Sequence, residues 1–217
     1  MSNEMTPLVL VDGIKNPEFA ADLMDVKVHV TEKIVGVPWA CRIDRPTRPE
    51  SYATTSLYVG GTLTHEDDDY NTLFDQRLDY FLDELLRLST DNIESVLIEG
   101  VWLPGSPYFN PSPEVRLFSI EVNGLAVPPE ETFRLFSGWG VKAVPVLSLY
   151  GQTLGSWLAR RPLTEAAKGR SRLAAIDRFG VVIRPIEEMN HPAVGRLVVQ
   201  LEADYRESEE STEADDE

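Results

Sequence analysis

One run constrains the fold of this chain more than any other: Val28-His29-Val30-Thr31-Glu32-Lys33-Ile34-Val35-Gly36-Val37-Pro38-Trp39-Ala40-Cys41-Arg42-Ile43-Asp44. Val28 and Val30, and then Trp39, Cys41 and Ile43, alternate at the period of two that marks half-buried strands. Val37-Pro38 bends the chain between them, so Lys33 is expected at the end of the first strand. Gly36 has no Cβ and allows backbone to approach a ligand closely. A lysine held between apolar neighbours is partly desolvated, which favours the neutral, nucleophilic amine. On this run alone, an ordinary exposed lysine after a strand is the plainer reading.

Further strands dominate the rest. Leu8–Val11 is a short apolar run, and Pro17–Met24 reads as a helix with Asn16 as N-cap. Strands are expected over Tyr52–Tyr58, Ser95–Trp102, Val115–Val122, Ala143–Leu149, Phe179–Arg184 and Gly195–Leu201. On Val115–Val122, alternation places Val115, Leu117 and Ser119 on one face and Arg116, Phe118, Ile120 and Val122 on the other. Helices are expected over Asp69–Leu88, Pro128–Ser137, Leu154–Arg160 and Thr164–Lys168. The longest of these carries Leu73, Phe74, Leu78, Phe81, Leu82, Leu85 and Leu86 at helical spacing. Strands outnumber helices without strict alternation, so the fold class is α+β with largely antiparallel sheets.

Charge and composition narrow the partners. The net charge of −16 divides between an acidic tail and the body. Residues 206–217 carry seven acids and one base, hence −6, which leaves −10 over the rest. That tail has no apolar residue beyond Ala214 and is expected to be disordered, following one domain over residues 1–205. An acidic body argues against strong non-specific nucleic-acid binding. The single cysteine, Cys41, excludes an intrachain disulfide and a cysteine metal cluster. No apolar run reaches the length of a membrane span and no basic-then-apolar leader is visible, so no membrane partner and a cytoplasmic location are expected. His65-Glu66-Asp67-Asp68-Asp69 reads as a solvated loop opening a helix, where acids oppose the macrodipole, rather than as a metal site. His29, His65 and His191 are scattered and carry no catalytic assignment.

Glu99 is the odd residue in Val96-Leu97-Ile98-Glu99-Gly100-Val101-Trp102, because a lone carboxylate is costly to bury. Together with the order of elements, several stretches make the chain resemble the ATP-dependent RNA ligases among the covalent nucleotidyltransferases. Thr31-Glu32-Lys33-Ile34-Val35-Gly36 is similar to the motif whose lysine takes AMP from ATP. Ile98-Glu99-Gly100-Val101-Trp102-Leu103-Pro104-Gly105, with Asn110 downstream, is similar to the motif whose carboxylate contacts the ribose. Val115-Arg116-Leu117-Phe118-Ser119-Ile120 resembles the strand whose aromatic side chain stacks on adenine, and Phe179-Gly180-Val181-Val182-Ile183-Arg184-Pro185 resembles a Glu-Gly-Val-Val-Ile-Arg/Lys-Pro motif. Val144-Pro145-Val146-Leu147, Gly169-Arg170-Ser171 and Gly195-Arg196-Leu197-Val198-Val199-Gln200, followed by Tyr205, fall in the corresponding order. The likeness covers residues 28–205.

The resemblance implies a nucleotidyltransferase (adenylation) domain using ATP with Mg2+ or Mn2+, and RNA ends as partners in sealing or repair. It implies Lys33 as the catalytic residue that forms a lysyl-AMP, and Glu32, Gly36, Glu99, Phe118, Ile183 and Arg184 as nucleotide-binding residues. No metal-ligating residue is assigned. Adenylylation needs an amine in line with the α-phosphate, a flat apolar clamp and cations to spread charge, and Lys33, Phe118 and Arg184 are of the right types. The chain departs from the family pattern at Val35, Leu57, Phe179, Gln200 and Glu202, where the family carries a polar residue, an arginine, a metal-binding carboxylate and two basic residues. An alternative follows from these losses: a catalytically impaired relative acting as a nucleotide-, RNA- or protein-binding module.

Overall fold

The computed structural model describes residues 10–44, 54–60, 62–64, 93–104, 113–148 and 151–203. In chain order the elements are β1 (Val11–Asp12), α1 (Pro17–Ala21), β2 (Val28–Glu32), β3 (Val37–Asp44), β4 (Thr54–Val59), β5 (Thr62–Thr64), β6 (Ser95–Leu103), β7 (Glu114–Val122) and β8 (Leu125–Ala126). There follow α2 (Pro129–Trp139), α3 (Leu154–Leu158), α4 (Leu163–Ala167), β9 (Gly180–Pro185), β10 (Asn190–His191), β11 (Gly195–Arg196) and β12 (Val199–Glu202). Six strands form one sheet in the order β5-β4-β3-β6-β7-β8, and four form a second in the order β1-β12-β9-β2. All pairings are antiparallel except β1 with β12, so the α+β expectation holds. The expected helix at 69–88, the loops at 45–50 and 65–69, Asn110, Tyr205 and the tail at 206–217 lie outside the described residues. No described helix is long and apolar enough to cross a membrane.

Each sheet has its own core. Trp39, Cys41, Ile43, Val96, Ile98, Leu117 and Ile120 of the large sheet bury against Phe133 and Phe136 of α2. Helix α2 begins with Pro129 at its first turn beside Glu130 and Glu131 and ends on Gly140 at φ 67°. That is the arrangement the macrodipole and a left-handed cap favour. The small sheet buries Val28, Val30, Val181, Ile183, Val199 and Leu201 against Leu23, Leu154, Leu158, Ala166 and Ala167. A fully buried aliphatic side chain contributes about 2 kcal/mol from area alone, so these two clusters hold the sheets.

Residues 142–147 join the two sheets. Val144 N donates to Leu117 O at 3.0 Å on one side, and on the other Glu32 N donates to Pro145 O at 2.8 Å and Leu147 N to Val30 O at 2.8 Å. The expected strand Ala143–Leu149 is therefore replaced, over its described part, by isolated bridges to β2 and β7. Pro145 explains this, since it has no N–H to extend a ladder. The expected strand Gly195–Leu201 is also divided. Its first two residues pair with β10, a pairing that the Leu197 N–H extends to Met189 O at 2.7 Å, and its last part pairs with β9.

A bulge in β6–β7 corrects the expected faces of β7. Glu99 lies opposite Ser119 but Gly100 opposite Leu117, which leaves Phe118 as the extra residue. Leu117 and Ile120, predicted on opposite faces, both enter the large-sheet core. Bulges re-aim side chains in this way, and here the re-aimed residue is Phe118.

Candidate functional site

A cavity of about 200 Å3 opens between the two sheets. Glu32, Lys33, Gly36, Glu99, Phe118 and Arg184 all line it, although they come from the end of β2, the start of β3, β6, β7 and β9. Ile183 does not. It is fully buried in the small-sheet core, and strand alternation puts its neighbour Val182 on the cavity wall instead. Trp39 also lines the cavity and was not singled out from the sequence.

Lys33 follows the last residue of β2, and its backbone N–H donates to Gly180 O at 3.0 Å on β9. Its side chain is only 20% exposed, so the ordinary exposed lysine is not what the fold contains. Nor is its amine surrounded by apolar groups alone, because Lys33 Nζ is ion-paired with Glu202 on β12. Gly36 is needed for a different close approach than the one expected. A Cβ there would lie 2.5 Å from Val101 Cγ1 and 2.6 Å from Trp102 O, so the glycine admits the close packing of β6 at the cavity wall.

Two buried carboxylates face the cavity. Glu32 is 1% exposed and its Oε2 accepts the Arg172 backbone N–H at 2.8 Å. Glu99 is 6% exposed, and burial pushes its carboxyl up, while the Arg184 guanidinium opposes that shift. Arg184 is itself buried. Desolvation brings its guanidinium down to about 10, and the Glu99 charge works against that fall. Arg184 Nη1 donates to Phe118 O at 3.0 Å, and its Cζ lies 4.6 Å from the centre of the Phe118 ring. The aromatic side chain is thus clamped by a cation–π contact.

Glu32 Oε1, Glu99 Oε2 and Arg184 Nε are buried and have no hydrogen-bond partner among the described residues. Such groups are uncommon in folded proteins and point to a polar ligand or water. Two acceptors and one donor beside an aromatic ring and the apolar walls of Val182 and Val144 suit a flat polar molecule the size of a base or nucleoside. A larger cavity of about 310 Å3 shares Phe118 and Arg184 but contains neither Lys33 nor Glu99. The amine chemistry belongs to the smaller one.

The departures from the family pattern have definite places. Val35 is 44% exposed, Leu57 faces Cys41 across β3–β4, Gln200 faces Val182, and Phe179 immediately precedes β9. Among the described residues no three His, Cys, Asp or Glu side chains cluster as a metal site. Phe179 O accepts the backbone N–H of Ala203, and the carboxylate of the preceding residue, Glu202, is engaged by Lys33. His29 stacks on Phe133 at 4.6 Å, outside the cavity, and burial, with a smaller push from Arg184, brings it down to about 4. His191 lies 3.9 Å from Asp22, and His65 is outside the described residues.

No protein-family model and no curated protein matches the chain. Solved structures do. Naegleria gruberi RNA ligase with PPi superposes with a TM-score of 0.64 at 16% identity, over 94% of this chain and 58% of that one. A variant of that ligase with ATP and Mn gives 0.64 at 17% identity over 93% and 57%, and an apo variant gives 0.62 at 17% over 93% and 57%. The chain spans a little over half the length of these ligases. At this identity the likeness establishes architecture alone: the protein shares the α+β fold of these RNA ligases over most of its own length.

Proposed function

We propose that this chain is an RNA ligase-like nucleotidyltransferase, folded as one domain over residues 1–205, whose cleft binds ATP and whose Lys33 accepts AMP. One observation carries the reading: Lys33, Glu99, Phe118 and Arg184, far apart in sequence, line a single cavity between two sheets. Phe118 and Val182 offer apolar walls for the base, Glu99 an acceptor for a ribose hydroxyl, and Arg184 a positive charge beside them. In the covalent step the Lys33 ammonium gives one proton to solvent, the free amine attacks the α-phosphorus, and the nitrogen sheds a second proton to solvent as the phosphoramidate forms. The N–P bond forms, the bond from the α-phosphorus to the bridging oxygen breaks, and pyrophosphate leaves. Among the described residues no three His, Cys, Asp or Glu side chains are grouped to hold an ion. Mg2+ or Mn2+ would arrive with the phosphates, as such ions commonly do. RNA ends as the second substrate, and a cytoplasmic setting, belong to the same reading.

A second reading has its own observation. The amine of Lys33 is occupied by Glu202, at a position where the family pattern has a basic residue, and Phe179 and Gln200 remove a further carboxylate and cation. Charged contacts of this kind contribute about 3 kcal/mol each to a transition state, so a nucleotide-, RNA- or protein-binding relative without transfer chemistry follows. Titration calorimetry with ATP tests the nucleotide cleft, which the first reading and the nucleotide-binding form of the second share. Wild type should bind, and Phe118→Ala should weaken binding about tenfold, the usual effect of removing a stacked ring. Unchanged binding in Phe118→Ala would remove the cavity from consideration.

A further inference from the structure

We propose that Glu202 governs access of a nucleotide's phosphates to Lys33, by serving as the counter-ion of the amine until a phosphate takes its place; this rests on the reading of the cleft as a nucleotide site. The geometry comes from three adjacent strands. β9 lies between β2 and β12. Lys33 N donates to Gly180 O on one side, and Glu202 faces Gly180 in register on the other. The two charged side chains therefore meet across a residue that has none. Glycine is required there, since Gly180 has φ +144° and a Cβ would lie 2.1 Å from Leu201 O.

The pair forms at the edge of the cavity, with the Lys33 side chain 20% and the Glu202 side chain 50% exposed. A lysine ammonium is a compact point charge, so a carboxylate and a phosphate oxygen compete for it directly. Half-exposed Glu202 loses little on returning to water, which makes the contact displaceable rather than a permanent block. Lys15, itself paired with Asp12 at 3.1 Å, is close enough for its charge to interact with that of Glu202. That amine is pushed up chiefly by Asp12, and Glu202 adds to the push through its charge. Glu202 thus acts through Lys33, as a positioning residue that sets how strongly the site prefers a phosphorylated ligand over a bare nucleoside.

The test is titration calorimetry of the full chain with ATP and with adenosine. Glu202→Gln should tighten ATP binding about fivefold, the ordinary worth of a part-exposed ion pair, and leave adenosine unchanged. In a Lys33→Met background the same substitution should produce no gain, because there is no amine to release. Glu202→Asp, one methylene shorter, should fall between wild type and Glu202→Gln. Equal ATP affinity in wild type and Glu202→Gln, with adenosine still bound, would overturn the role of Glu202 alone. An equal gain in the Lys33→Met background would reduce Glu202 to a general surface charge and also overturn it. Failure of wild type to bind either ligand would overturn the nucleotide reading and this inference with it.

Discussion

Glu99 and Arg184 show how burial sets charge in the cleft. Each is desolvated, each offsets part of the other's shift, and neither is fully satisfied by hydrogen bonds among the described residues. Removing one leaves the other buried without its counter-charge, so Glu99→Ala should destabilise the fold by about 3 kcal/mol in urea unfolding at neutral pH. A loss under 1 kcal/mol would mean that Arg184 does not depend on Glu99. His29 predicts a pH effect of known sign. It is held at about 4 in the fold against an ordinary 6.5. Between those values the unfolded chain takes a proton that the fold refuses, so this contribution is intact above about 6.5 and is lost as pH falls to 4. The full loss is about 3 kcal/mol. Glu99 runs the other way, because a carboxyl pushed up by burial gains a proton in the fold first. Urea unfolding of wild type and His29→Leu across that window separates the two, and the substitution should flatten the acid-side decline. At this scale the sequence named the cavity residues Lys33, Glu99, Phe118 and Arg184, since an acid in an apolar strand and an ordered set of motifs are local signals. It missed Val182 in favour of Ile183 because a one-residue choice of face depends on which core the strand meets.

The strands themselves were legible, and their interruptions were not. Period-two alternation located β2, β3 and β7, and apolar runs located β6 and β9, to within a residue or two. The bulge opposite Glu99 and Gly100 depends on a partner's register, which alternation within β7 does not contain. The 143–147 segment likewise looks strand-like until Pro145 has to donate to a ladder. Glycine positions give a paired prediction for these elements. Gly180→Ala places a methyl against Leu201 O in a backbone conformation that side chains avoid, and should separate β9 from β12 at a cost of about 3 kcal/mol. Gly138→Ala, near the end of α2 with nothing within 4 Å of the added carbon, should stabilise by about 0.5 kcal/mol. Urea midpoints moving in opposite directions would support both placements. A neutral Gly180→Ala would contradict the close β9–β12 approach.

Across the whole molecule, two sheets with separate cores leave a cleft between them, and residues 142–147 stitch one to the other. Strands far apart in sequence deliver an amine, an aromatic ring, a guanidinium and two carboxylates to that cleft. The order of motifs foretold the convergence. The Lys33–Glu202 contact was not foreseen, because it requires β2, β9 and β12 to lie side by side in one particular register. The chemistry proposed for this cleft is transfer of AMP to Lys33. Intact-protein mass spectrometry after incubation with ATP and either Mg2+ or Mn2+, beside a Lys33→Ala control, tests it most directly. An AMP-sized mass increase is expected in wild type and not in the control. A folded wild-type protein that gains no such mass with either ion would contradict it, and would leave the non-transferring binding module in its place.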